Sequence, residues 1–374
     1  MGVVTLLPLQ RRGPPKRLVA MNDAFWVYPT LRTALTFLVA VAGGVSFSAI
    51  GAPAPWLTGS AAAVGCAAIA GAKPMIPAWL RYGAVVFLGS AVGSTMTPQT
   101  VGLLLHWPIS FIGLAVSVFG IMAASSIYLE RVHGYDRATA RLASVPGALP
   151  YVLALAAEGQ GDKRRIIIVQ LFRLTVLLLL IPIALSLVGH ADGSVAPRAP
   201  GPVVPGEIVA LLAVGSFGTW IFERLRVPAA PLCGAMVASA IVCGSGILSP
   251  ELPRWLMVPA FVIVGAVVGA NFASVDRYLL LETFSASLGS LAIGAIVALL
   301  CALPMAWLLD VPSAKIWLAY APGGADAMTI MAIALGVDPA FVGGHHVARF
   351  LGLGLFVPFW MRNHTRSRNV ESRS

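Results

Sequence analysis

The segment Pro146-Gly147-Ala148-Leu149-Pro150, followed by Asp162, Arg173 and Pro182, returns as Pro322-Gly323-Gly324-Ala325-Asp326, followed by Asp338, Arg349 and Pro358. Every matched residue lies 176 positions later. Gly89 and Gly93 recur as Gly265 and Gly269 at the same offset, and Pro53 and Gly59 recur as Pro228 and Gly234 one residue short of it. Repeats of about 20 to 50 residues build solenoids and propellers. A repeat near half the chain length is a duplicated domain, and in a very apolar chain it signals the two-fold architecture of membrane transporters.

The chain is that apolar. Of 374 residues, 58% are hydrophobic and 11% charged, and the mean hydropathy is +0.86. A globule of this length cannot hide so much apolar surface, so the chain belongs in a bilayer. Segments that approach the roughly 20 residues needed to span a hydrocarbon core fall at 31–50, 54–72, 78–97, 108–129, 166–188, 204–222, 228–248, 255–275, 284–309 and 339–361. This places five spans in each half of an all-α polytopic protein. The expected divisions are a cytoplasmic tail (1–30), a first repeat (31–190), a linker (191–203), a second repeat (204–361) and a basic cytoplasmic tail (362–374). Leu6 and Leu7 precede the basic run Arg11, Arg12, Lys16 and Arg17 rather than follow it, which is not the order of a cleavable signal. Cys66, Cys233, Cys243 and Cys301 sit within spans with no C-x-x-C spacing and read as buried apolar residues.

An odd number of spans per half inverts the second copy, and an even number keeps the copies parallel. With five per half and a cytoplasmic start, 20 Lys and Arg fall inside against three outside (Arg198, Arg254 and Lys315), and Arg173 and Arg349 lie within spans. With six per half the division is 17 against 6. Positive charge collects on the cytoplasmic side, so the inverted arrangement is favoured, in a cytoplasmic (inner) membrane with both termini inside. The net charge of +10 is then a topology signal facing anionic lipid, and no nucleic-acid partner is needed to explain it.

In this arrangement residues 142–160 and 316–337 enter the membrane without simply crossing it. Proline lacks an amide hydrogen and glycine tolerates unusual dihedrals, so Pro146-Gly147 and Pro322-Gly323-Gly324 should break helices at membrane depth. Freed backbone groups are tolerated there only inside protein or beside a water-filled cavity, which makes paired breaks the best pointer to a transporter site. Half-helices beginning near Leu149 and Ala325 would aim N–H groups and positive dipole ends at an anion, a carboxylate or a polar small molecule. A plain turn between short interfacial helices is the alternative.

Few polar residues lie near the breaks. Arg173 and Arg349 sit about three turns into the last helix of each half, where an arginine must face an interior, pair or snorkel. Gln170 and His346 precede them by three residues, on the same helical face. His345 and His346 match Val169 and Gln170, and the histidines could equally cap backbone carbonyls. Asp326 replaces Pro150 and could hold a coupling cation, accept a proton or cap the helix that follows. Glu158 and Asp162 read as solvated loop charges. The candidate binding set is therefore Arg173, Arg349, Gln170, His345, His346, Asp326, Gly147, Gly323 and Gly324.

Together with Pro53-Ala54-Pro55-Trp56-Leu57-Thr58-Gly59, these motifs make residues 31 to 361 similar to the AbrB family of bacterial membrane proteins, which carry two AbrB duplication domains. The resemblance implies a fold more readily than an activity, because members are labelled as ammonia monooxygenases or as regulators of gene expression. Copper or iron oxygenase chemistry needs converging ligands. Here His106, His133, His190 and His364 are scattered, and the adjacent His345 and His346 lie about 100° apart on a helix. No enzyme activity, metal or cofactor is expected. No DNA-binding module is present either, so any effect on transcription would be indirect. The expected partners are the bilayer and a small polar solute that is bound and moved, with a membrane sensor as the alternative. Glycine pairs such as Gly89/Gly93 and Gly265/Gly269 permit close helix contact, within one chain or in a homodimer.

Overall fold

A computed structural model describes residues 29–102, 107–147, 149–157, 161–188, 203–227 and 229–371. The expected N-terminal tail, Glu158 and most of the linker fall outside the described residues. Among those described there is no strand, and fourteen helices of eight residues or more divide into two series of seven. The first series is α1 (Pro29–Ala49), α2 (Pro55–Ile69), α3 (Ala78–Gly93), α4 (Trp107–His133), α5 (Arg137–Ser144), α6 (Leu149–Ala157) and α7 (Lys163–Val188). The second is α8 (Pro205–Arg224), α9 (Ala230–Gly244), α10 (Arg254–Ala270), α11 (Phe284–Leu309), α12 (Ser313–Tyr320), α13 (Ala325–Leu335) and α14 (Pro339–Glu371). Helix for helix, the second series repeats the first.

Local chemistry sets the boundaries. Proline occupies the first or second position of α1, α2, α8, α9 and α14, where its missing N–H costs nothing. The residue before α2 and the residue before α9, Ala54 and Ala229, both adopt the left-handed conformation, at φ 49° and 53°. That is an unusual state for a residue with a Cβ, and the duplication has kept it twice.

Seven helices are long and apolar enough to cross a membrane: α1, α4, α7, α8, the stretch Trp255–Ser274, α11 and the Pro339–Met361 part of α14. Three of the ten expected spans, at 54–72, 78–97 and 228–248, are shorter helices in the structure. There α2, α3 and α9 have only 15, 16 and 15 residues, about 22 to 24 Å at 1.5 Å per residue against a core of about 30 Å. Apolar composition continues past their ends, but turns close those helices early. α14, in contrast, runs beyond the expected limit at 361 to Glu371.

The two series interlock. A Cβ on Gly89 of α3 would stand 2.7 Å from the Leu232 carbonyl of α9, and Gly93 lies one turn further along against Met236. Reciprocally, Gly265 of α10 lies against Leu57 of α2, and a Cβ on Gly269 would stand 2.6 Å from the Ala61 carbonyl. Both glycine pairs are therefore spent within the chain, joining one series to the other. At the centre α4 packs on its own counterpart α11, with Gly113 near Met305, Gly120 near Val297 and Ser125 donating to the Ser290 carbonyl at 3.3 Å. Rising numbers on α4 meet falling numbers on α11, so these equivalent helices run antiparallel.

Candidate functional site

α5 stops at Ser144 and α12 at Tyr320, each followed by an extended residue, Val145 or Ala321. Each end leaves carbonyls that lipid could not satisfy. The long helix closing each series supplies the donors. Arg173 on α7 donates through Nη2 to the Val145 carbonyl at 2.6 Å and through Nη1 to those of Ala143 and Ser144 at 3.4 Å. Arg349 on α14 donates through Nη1 to Ala321 and through Nη2 to Gly323, both at 2.6 Å. One turn earlier, Gln170 Nε2 donates to the Leu142 carbonyl at 2.9 Å, and His346 Nε2 makes the matching contact with Leu318 at 3.1 Å. A cation at a helix C-terminus also faces the negative end of the helix dipole. Arg173, Arg349, Gln170 and His346 thus hold the broken ends open as a pair of like frames.

The two frames meet. Gly147 has φ +77°, a conformation that costs glycine little, and a Cβ there would stand 2.7 Å from both the Arg349 Nη2 and the Gly323 carbonyl oxygen. The first break is thereby seated against the second. Gly324 lies against Leu174 of α7, and Gly323 against Met328. The Arg173 and Arg349 guanidiniums flank this meeting point. Both are buried, and among the described residues neither has an Asp or Glu within salt-bridge distance.

His345 lies apart from this crossing. Its Nδ1 faces the Phe341 carbonyl at 2.8 Å, an acceptor only, so Nδ1 carries the proton. In the neutral ring Nε2 then accepts from the Ser110 hydroxyl at 2.6 Å. Tyr320 donates to the Ser110 carbonyl at 2.5 Å, and the rings of Trp107, Phe111, Phe341 and Tyr320 surround the imidazole. Nothing in the sequence singled out Ser110, Tyr320 or Trp107, because these partners are more than 200 residues apart or hidden in apolar runs. Ser110 is matched 176 positions later by Ala286, and His345 is matched by Val169, so this hydrogen bond has no twin in the other copy.

Asp326 does not cap its helix. The N-cap of α13 is Gly324, and no side chain bonds the first turn. The carboxylate is exposed. Arg81 of α3 and Cys233 of α9 lie within electrostatic range. The positions matching Asp326 and Arg81 are Pro150 and Met257, so these charges have no polar twin. Among the described residues no three His, Cys, Asp or Glu side chains gather as metal ligands.

The sequence model of a family described as transition state regulatory protein AbrB matches residues 56–364. The chain is 26% identical to the uncharacterized protein YhjN of Bacillus subtilis (strain 168), over 90% of this chain and 94% of that protein. It is 23% identical to a protein of Escherichia coli (strain K12) named as a regulator, AbrB, over 88% of this chain and 95% of that one.

Proposed function

The chain belongs to the AbrB family, and we propose that this membrane protein is a transporter whose two copies are inverted across the bilayer, moving a small polar solute past the crossing of its broken helices. The observation that carries the proposal is the seating of Gly147 on Gly323 and Arg349, at the meeting point of two interrupted helices. Interrupted helices cost free energy in a membrane and persist where they line a path. The antiparallel packing of α4 on α11 supports inversion. Two buried guanidiniums without a carboxylate partner among the described residues, beside the N-terminus of α13, favour an anionic solute. Asp326 is then the group that meets a coupling cation or a proton, while Arg173, Arg349, Gln170 and His346 position the broken ends.

The test has two parts. In a background lacking the native cysteines, Arg137→Cys and Ser313→Cys, exposed equivalents 176 positions apart, should be labelled by a membrane-impermeant thiol reagent from opposite faces. Labelling from one face would refute inversion. Metabolite pools and transcripts of a deletion strain are then compared with the parent, and any displaced solute is offered to the purified protein in liposomes. Flux that Asp326→Asn abolishes supports transport. A transcript change with no flux for any displaced solute favours a sensor, the reading suggested by the regulator name of the Escherichia coli relative.

A further inference from the structure

A cavity of about 480 Å³ lies between the C-terminal ends of α3 and α9 and the start of α14. Val92, Met96, Trp107, Met236, Ala340 and Gly344 line it, with Ser245 at its edge, and it opens beside Val101 and Ile241, which are 41% and 65% exposed. On membrane helices such exposed apolar side chains face lipid, so the mouth of the cavity opens onto the bilayer.

The repeat shows that this space is not a generic packing gap. Phe272 is the counterpart of Met96, 176 positions later, and it is buried against Gly65, the counterpart of Ala240. Ile168, also buried, stands where the second series has Gly344. One copy therefore sets the Phe272 ring where the other has Met96, and Gly344 leaves room for the Trp107 ring, which would stand 2.5 Å from a Cβ there. The helices bordering the opening are also short: α3 and α9 end after 16 and 15 residues, before they could cross the core. Lipid or another apolar group must fill the depth left at their ends.

We infer that this cavity is a binding site for one acyl chain of a bilayer phospholipid, entering between α3 and α9 and contacting Trp107. The lining offers an alkyl chain dispersion contacts and almost no polar partner, which disfavours water or a polar solute. Trp107 also packs edge-on against Phe341, at 5.5 Å between ring centroids, and borders His345. An occupied cavity thus buttresses the aromatic surround of that histidine.

The test uses full-length protein in vesicles of phosphatidylcholine whose acyl chains are brominated, since bromine quenches tryptophan fluorescence on contact. The Trp107 component is the wild-type signal minus that of Trp107→Phe. It should be quenched, whereas in Met96→Phe, which installs the ring found in the other copy, quenching at limiting brominated lipid should require roughly tenfold more of it, as displacing about two methylenes of chain implies. Ala240→Leu fills the same space from α9 and should act alike if Met96→Phe does not fold. A Trp107 component that is unquenched in wild type, as when a second copy of the chain covers the mouth, would overturn the inference. So would quenching unchanged in both filled variants.

Discussion

Replacing Gly147 by alanine tests whether the two broken segments really bear on one another. At φ +77° any Cβ carries the left-handed penalty, about 1–2 kcal/mol. The new methyl would also stand 2.7 Å from the Gly323 carbonyl oxygen and 2.7 Å from the Arg349 Nη2, where no real Cβ contact sits. The carbonyl is main chain, and the guanidinium is tethered by two bonds of 2.6 Å, so relief requires giving up a charge-assisted bond worth about 1.5–3 kcal/mol. The total is roughly 2.5–5 kcal/mol. Gly336→Ala is the matched control, with φ +68° and open space around its Cβ position. It should lose only the backbone part, about 1–2 kcal/mol. The readout is the thermal midpoint of monodisperse protein in detergent, with the yield of membrane-inserted protein alongside. Gly147→Ala should fall well below Gly336→Ala. Equal losses would show that Gly147 bears on nothing and that the crossing is not a contact.

His346→Gln should stay within about 1 kcal/mol of wild type, because Gln170 makes the same bond to the equivalent carbonyl, whereas His346→Leu leaves the Leu318 carbonyl unpaired at about 1–3 kcal/mol. Thermal midpoints of the pair decide between them. Arg349→Lys should lose about 1.5–3 kcal/mol in the same assay, since an ammonium cannot span the Ala321 and Gly323 carbonyls as the guanidinium fork does. Asp338→Asn breaks a 2.6 Å ion pair with Lys315 that is partly solvent-exposed, and should cost no more than about 1 kcal/mol, a loss that shrinks in high salt.

The repeat and the breaks were legible in the sequence because each is a residue-type demand that recurs, glycine where the chain must turn, whereas Arg173 and Arg349 were placed within spans with interior, paired and snorkelling positions all open. The partners of those residues were harder to read. Arg173 reaches back 28 residues to Val145, and Gln170 reaches 28 to Leu142, so the relation follows from how α7 folds over α5 rather than from neighbours in the chain. The early ends of α2, α3 and α9 escaped hydropathy, which measures composition and is blind to where a turn closes a helix. The surround of His345 was invisible for another reason. Trp107 and Ser110 come from the first series and Phe341 and Tyr320 from the second, and apolar membrane sequence gives no sign of which aromatic faces which.

What the copies share and what they do not share have different physical meanings. Arg173 with Arg349, Gln170 with His346, and the glycine pairs recur because both copies must solve one problem, a helix interrupted where water cannot reach. Removing any of them should damage folding first, and lost activity in such a variant would say little about chemistry. Asp326 is under no such demand: it bonds no first-turn amide, is exposed and has Pro150 as its counterpart. Asp326→Asn keeps the shape and removes the charge, so it should leave the thermal midpoint within about 0.5 kcal/mol of wild type while abolishing flux in reconstituted vesicles. A variant that loses midpoint and flux together would place Asp326 in the scaffold. One that keeps both would show that Asp326 is not on the solute's path.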